Sequence, residues 1–301
     1  MAATPKTVMI TGASSGIGAA CALHLDKLGL RVFAGVRKQS DAESLRARSS
    51  PLLTPIALDI SDTLSVSTAA GAVAGAAGGA GLDGLVNNAG VVVAGPVEFL
   101  PLPELRRQLE INVVGQVAVT QAFLPLIRQA RGRIVNMGSI AGRMTTPFVG
   151  AYGASKFALE ALTDALRLEL APWSISVSIV EPAAVATPIW EKAAKTADAI
   201  LDALPPEALV FYGEAIQAAR ERSALSEKNA IDPLEVARAV EHALTAARPR
   251  TRYLVGRDAK IRAAMAMLVP DRVRDTIVAK AMRLPKNAPS GSPKAGEGAW
   301  G

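Results

Sequence analysis

Tyr152 and Lys156 stand four residues apart in a stretch, residues 151–170, whose apolar periodicity predicts a helix. That spacing sets both side chains on one helical face. A free phenol loses its proton at about pH 10, too high for base catalysis at neutral pH. A neighbouring ammonium favours the phenolate and lowers that value. Ser139 precedes Tyr152 by thirteen residues, just beyond a predicted strand over 133–137. Taken singly, these residues have plainer readings: a half-buried Tyr beside a solvated Lys, and a Ser in a turn.

A second motif changes the balance. Thr11-Gly12-Ala13-Ser14-Ser15-Gly16-Ile17-Gly18 follows a predicted strand over 7–10 and opens a helix over 17–28. Glycines without Cβ let backbone approach a diphosphate, and the helix start supplies free N–H groups and the positive end of its dipole. The spacing differs from G-x-G-x-x-G: three residues separate the first two glycines and one separates the last two.

The rest of the chain reads as the scaffold for these groups. Strands are predicted over 31–36, 53–58, 82–86, 133–137 and 174–180, with an edge strand over 252–255. Helices are predicted over 41–48, 63–77, 103–128, 151–170 and 233–247, the last capped by Asp232. Strands alternating with helices imply an α/β fold, a doubly wound parallel sheet of Rossmann type with helices on both faces. Its ligand crevice lies at the carboxyl ends of the strands, where every polar motif falls. Residues 1–286 are expected to form one domain, with helical segments over about 188–230. The Pro-, Gly- and Ser-rich residues 287–301 are expected to be disordered.

The glycine turn, Asn87-Asn88-Ala89-Gly90, Asn112, Ser139, Tyr152-Gly153-Ala154-Ser155-Lys156 and the run from Pro182 to Thr187 keep one order and spacing. Across residues 6–190 the chain resembles the short-chain dehydrogenase/reductase family. The resemblance implies hydride transfer between a nicotinamide dinucleotide and an alcohol or ketone. It makes Tyr152 the proton-transfer group, with Ser139 bonded to the substrate oxygen and Lys156 also bonded to the cofactor ribose. Asn112 would bend its helix and hold a water for proton relay. Gly12, Ser14, Ser15, Gly16, Ile17 and Gly18 would cradle the diphosphate. Asn88, Ala89 and Gly90 would flank the adenosine side, with Asn87 bracing the sheet and Asp59-Ile60 contacting adenine. Pro182, Val185 and Thr187 would meet the nicotinamide. One departure is Ala183, where the family has Gly; its methyl is expected to lie near the ring.

Cofactor choice turns on the end of the second strand. Val36 occupies the position where NAD-preferring relatives often carry an acid, and Arg37 follows. An Arg there can meet a 2′-phosphate, which points to NADP. NAD is the alternative if Arg37 is solvated or stacks on adenine.

For the substrate, Ile189, Trp190, Ile200, Leu201, Leu204, Leu209, Val210, Phe211 and Tyr212 suit an apolar lid, with Met144, Pro147 and Phe148 lining the same cavity. Residues 250–256 and 258–260, with Val32-Phe33-Ala34-Gly35, are similar to the retinol and hydroxysteroid dehydrogenase branch. This suggests a steroid- or retinoid-like alcohol or ketone. A ketoacyl-type or small hydroxy-acid reductase, or a catalytically silent cofactor sensor, are the alternatives. The family also implies a homodimer or homotetramer.

Composition sets outer bounds. Half of the 301 residues are hydrophobic and 20% are charged, which suits a sizeable core. Much of the +6 net charge falls within 248–286, so it describes one region. With no recognisable module, it is poor support for nucleic-acid binding. Residues 260–284 mix basic and apolar side chains, which suits a solvated amphipathic helix closing the lid, with contact to an anionic membrane as the rival. His24 and His242 lack partners at metal-ligand spacing, so no metal is expected. One cysteine, Cys21, and a first strand near Lys6 lead to a cytoplasmic expectation. No window is expected to reach the roughly 18 strongly apolar residues of a membrane span.

Overall fold

The computed structural model describes residues 5–285, so the expected disorder of 287–301 lies outside the described residues. Seven strands carry the fold: β1 (Thr7–Ile10), β2 (Arg31–Val36), β3 (Leu53–Ala57), β4 (Gly84–Asn87), β5 (Arg133–Met137), β6 (Ser176–Pro182) and β7 (Arg252–Val255). They form one parallel sheet in the order β3-β2-β1-β4-β5-β6-β7. The order reverses between β1 and β4, which opens a crevice above their carboxyl ends.

Strand residues alternate between two apolar cores. Val8, Ile10, Val32, Ala34, Val86 and Val135 face one core with helices α1 (Gly16–Lys27) and α9 (Pro233–Thr245). Met9, Phe33, Leu85 and Ile134 face the other, beneath α3 (Thr63–Ala77) and α5 (Gly115–Ala130). Strands buried on both faces need apolar residues at successive positions, which is why these runs lack polar alternation. Helix α2 (Gln39–Arg46) joins β2 to β3, and α6 (Gly150–Leu170) joins β5 to β6. Asp62 caps α3 by accepting bonds from the Leu64 and Ser65 N–H groups, and Asp232 caps α9 through Leu234. Both histidines serve packing: His24 meets Glu241 at 2.7 Å across α1 and α9, and His242 meets the Tyr253 hydroxyl at 2.8 Å.

The predicted helix over 103–128 is three segments. Helix α4 (Leu102–Leu109) passes through a π-turn (Glu110–Val114) into α5. The run from 102 to 130 meets a length and hydropathy criterion for a membrane span, contrary to the expectation from sequence. In this fold Val119, Phe123 and Ile127 bury its apolar face against the sheet. Strands β4 and β6 start later than predicted. Leu82 N–H is taken by the Leu126 carbonyl, and left-handed Ser174 (φ 57°) ends a short turn before β6. Beyond β6 come α7 (Ile189–Asp202) and α8 (Pro206–Lys228), broken at Pro205-Pro206 as predicted. The amphipathic stretch over 260–284 is two helices, α10 (Arg257–Leu268) and α11 (Asp271–Ala281), separated at Pro270.

A buried polar chain ties the middle of the sheet to both flanking helices. Asn87 Nδ2 on β4 donates to Thr120 Oγ1 on α5 and to Asn136 Oδ1 on β5, each at 2.9 Å. Asn136 Nδ2 continues to Thr163 Oγ1 on α6 at 2.8 Å. Replacing Asn136 by Ala strips partners from groups that water cannot reach. Asn136→Ala is expected to cost about 1–3 kcal/mol. Urea denaturation measures this; an unchanged midpoint would show that the chain of bonds does not hold the sheet.

Candidate active site

The glycine turn between β1 and α1 is shaped by steric exclusion. Gly12 and Gly16 have φ of 64° and 57°, where a side chain is strained. A Cβ at Gly12 would lie 2.7 Å from Ala89 Cα, and one at Gly18 would lie 2.2 Å from the Gly12 carbonyl oxygen. Bare backbone is therefore required for the turn, the Ala89 loop and α1 to meet. Asn88 fastens this contact, its Nδ2 donating to the Thr11 and Gly12 carbonyls at 2.9 and 3.1 Å. Ser15 is the N-cap of α1 and makes no side-chain capping bond, so the helix start presents its own N–H groups, with Ser14 and Ile17 beside them.

A polar stripe at steps of four holds the strand-end loop after β4. Gln108, Asn112, Gln116 and Thr120 are all buried. Gln116 Nε2 donates to the Ala89 carbonyl at 2.8 Å. Asn112 Oδ1 accepts from Val91 N–H at 2.8 Å, and its Nδ2 donates to the Val91 carbonyl at 3.0 Å and to Ser155 Oγ at 3.2 Å. Gln108 grips Val91 and Val93. Gly90 sits against Asn112, where a Cβ would come within 3.2 Å of Oδ1. Asn112 lies in the π-turn between α4 and α5. Gln108 and Gln116 were missed from sequence, and Thr11, quoted there in the glycine motif, was given no role although it accepts from the Asn88 and Ala89 N–H groups. The four-residue polar spacing was the signal that could have found the first two.

Helix α6 brings Tyr152 and Lys156 to the end of β5, beside Ser139. Lys156 is 4% exposed, and its Nζ donates to the Met137 carbonyl at 2.7 Å and lies 5.7 Å from the Tyr152 ring centroid. Ser139 caps a short 3-10 turn (Ile140–Gly142), its Oγ accepting from Ala141 N–H at 3.1 Å. Burial pushes the Tyr152 phenol above its ordinary pKa, and hydrogen bonding with Ser139 opposes that rise. The lowering expected from the amine does not prevail. Lys156 is desolvated too: burial brings it down to about 8, against an upward pull from Glu160.

The end of β6 completes the crevice. Pro182 closes the strand, and Val185 bridges to Ile231 with its side chain in the core. The Val185 carbonyl accepts the Trp190 indole N–H at 2.8 Å. Thr187 stands over the glycine turn, 3.0 Å from where a Gly16 Cβ would be. One strand-end crevice thus gathers the glycine turn, the Asn88–Gly90 loop, Ser139, Tyr152, Lys156 and Thr187.

The short chain dehydrogenase family profile matches residues 6–198. The chain belongs to that family. It is an NAD(P)-dependent oxidoreductase of alcohols and ketones. Mouse retinol dehydrogenase 5 is 42% identical over 282 residues, covering 92% of this chain and 88% of the relative. Bovine 17-beta-hydroxysteroid dehydrogenase type 6 is 37% identical over 291 residues, covering 94% and 90%. A short chain dehydrogenase from Burkholderia cenocepacia, solved with NADP, is 25% identical with a TM-score of 0.70, covering 93% of this chain and 98% of that one.

In this dehydrogenase the second strand ends with Val36 buried in the core and the Arg37 side chain 68% exposed. An acid at 36 would point inward, whereas Arg37 and Lys38 are exposed at the strand end. Arg37 Nη1 is 4.0 Å from Asp59 Oδ2. Asp59 accepts from the Ser61 N–H and hydroxyl, which, with help from Arg37, hold its carboxyl below the ordinary range. Ile60 is buried, its carbonyl tight against Gly115.

On the substrate side the apolar residues divide between packing and exposure. The Ala183 methyl packs with Ile140, Ala259, Ala263 and Leu254 beneath α10. Leu209 and Val210 on α8 are more than half exposed rather than packed in an apolar lid. Ile200 of α7 packs with Val93, Leu100 and Ala151, joined by Leu204. Phe148 stacks edge-on with Tyr212 at 6.0 Å, backed by Met282 and Ala215. Arg262 of α10, not singled out from sequence, donates to the Met144 carbonyl at 2.8 Å.

The depressed Lys156 value links folding to pH. From about pH 8 to about pH 10.5 the unfolded chain keeps a proton that the folded protein has released. Stability contributed by Lys156 therefore rises with pH across that window and is lost as pH falls through 8. The increment is about 3 kcal/mol at most. Lys156→Met is expected to lack it, whereas Cys21, whose value is raised and which lies on α1 away from Lys156, acts alike in both proteins and cancels. Denaturation midpoints of the two proteins across this range would differ by a pH-dependent amount; a constant difference would refute the linkage.

Proposed function

We propose that this dehydrogenase acts on a hydrophobic alcohol or ketone of retinoid or steroid type, with Tyr152 as general acid and base. The observation that carries it is the convergence of Ser139, Tyr152 and Lys156 at one strand-end crevice. The substrate class draws support from the retinol and hydroxysteroid dehydrogenase relatives and from apolar Val93, Leu100, Met144, Phe148 and Ile200 on that side. Helices α7 and α8 form the lid, and α10 and α11 are read as packing behind it rather than on a membrane.

The fit of a dinucleotide rests on the bare cradle of Gly12, Gly16 and Gly18 at the start of α1. Nicotinamide, when bound, supplies or accepts the hydride. Ser139 Oγ holds the substrate oxygen. Tyr152 Oη takes the hydroxyl proton in oxidation and returns one in reduction. Lys156 stabilises the phenolate and bonds the ribose hydroxyls. Asn112, bonded to Ser155, sits one step behind Tyr152 for proton relay. Pro182, Val185 and Thr187 border the nicotinamide, and Asn88, Ala89, Gly90, Asp59 and Ile60 the adenosine. Arg37 favours NADP through its exposed guanidinium.

The protein is read as a cytoplasmic homodimer or homotetramer. Val114 on the π-turn, with Phe157 and Leu168 on α6, are exposed apolar residues suited to a contact between copies.

Tyr152→Phe is expected to lose about 100- to 10,000-fold in turnover while keeping dinucleotide affinity. Following reduced-nicotinamide absorbance with retinol, hydroxysteroids, small hydroxy acids and acyl-carrier ketones tests the substrate. Turnover confined to the last two groups, or retained in Tyr152→Phe, would refute the corresponding part. Arg37→Met is expected to weaken NADP about 10- to 100-fold and leave NAD unchanged, as read by kcat/KM with each. Equal losses with both would remove Arg37 from cofactor selection.

A further inference from the structure

Behind the candidate active site, α6 carries an ion cluster that the mechanism above does not use. Glu160 lies one helical turn beyond Lys156, on the same face, and its side chain is only 12% exposed. Its Oε2 is held by Arg252 of β7. Its Oε1 is buried with no hydrogen-bond partner among the described residues. The neighbouring carboxylates are better served. Glu181 of β6, fully buried, is closed on by Arg143 from the loop after β5, at 2.5 Å. Asp164 of α6 is closed on by Arg167 at 2.5 Å. Arg252 touches all three carboxylates.

We propose that Glu160 is a positioning residue for Lys156: its carboxylate, gripped by Arg252 at one oxygen and unbonded at the other, keeps the Lys156 side chain an ammonium during turnover. The reasoning rests on the catalytic reading of Lys156 above. The amine has one carbonyl bond and little water, so a nearby negative charge matters more than it would at a surface. Charged and titratable neighbours come from several elements: Tyr152, Asp164 and Arg167 on α6, Arg143 from the loop, Glu181 on β6 and Arg252 on β7. The π-turn presents neutral Asn112 to Ser155. Of these neighbours, Glu160, one turn along on the same buried face, is the charge placed to oppose loss of the Lys156 proton; burial and Glu181 push its own carboxyl up, while Arg252 and Arg143 pull it down.

The test is the pH profile of kcat/KM for Glu160→Gln in the full-length dehydrogenase. The limb on which activity falls at high pH is expected to move down by about 1 pH unit, a loss of about 10-fold on that limb and little at lower pH. Asp164→Asn, which removes a carboxylate from the same cluster, is expected to leave that limb in place. Glu160→Asp, which sets the charge back by one carbon, is expected to give a smaller downward shift; it also serves if Glu160→Gln does not fold. A limb unmoved in both Glu160 variants, or moved equally in Asp164→Asn, overturns the proposal. Lys156→Met separates the two levels. If it is inactive while the Glu160 variants keep the wild-type profile, only this proposal fails; if it keeps wild-type activity, the reading of Lys156 fails with it.

Discussion

An ammonium buried at the junction of a helix and a strand end is costly unless its protons are met and its charge is answered. Lys156 is in that position. Its place is fixed by the Met137 carbonyl, which fixes the turn of α6, which in turn sets Tyr152 beside Ser139. The close approach of α6 to the 3-10 turn after β5 requires Gly142, where a Cβ would meet the Lys156 backbone at 2.9 Å. Packing and chemistry share one constraint here: α6 must lie close enough to bury the amine, and it can do so only where side chains are missing.

Much of the remaining polar structure answers a second need, the main chain between β4 and α4. Residues after a strand end have lost their ladder partners, and buried backbone groups must be paired. The stripe of Gln108, Asn112 and Gln116 meets that need by side chains. The π-turn at Asn112 adjusts the helix so that one amide reaches both Val91 and Ser155. The crevice is therefore rigid on the side where the glycine turn, Asn88 and Ala89 touch. On the opposite side α7, α8, α10 and α11 contribute smaller apolar clusters, so that wall rests on fewer contacts than the sheet.

The order of strands and helices was legible because each element buries a face, and burial writes periodicity into the residues. Caps at Asp62 and Asp232 and the break at Pro205-Pro206 follow from local chemistry. The π-turn was not legible in local spacing, and only the family resemblance implied a bend at Asn112, whose amide serves a distant loop. The membrane-span resemblance of 102–130 shows the converse: apolar content alone does not say whether lipid or a sheet covers a helix. For Leu209 and Val210, apolar identity gave no information about which way the helix would turn.

By itself the sequence determined the residue types able to move a proton, their spacing on one helix, and the bare glycine turn that leaves space for a diphosphate. Tertiary structure alone decided their electrostatic condition. The phenol is raised and the amine is lowered because both lose water when α6 docks. The Ala183 methyl packs beneath α10, and Val36 turns inward while Arg37, next along the chain, faces solvent. Such outcomes depend on which surfaces meet after the chain folds, and local spacing carries no record of solvent lost to a partner far along the chain.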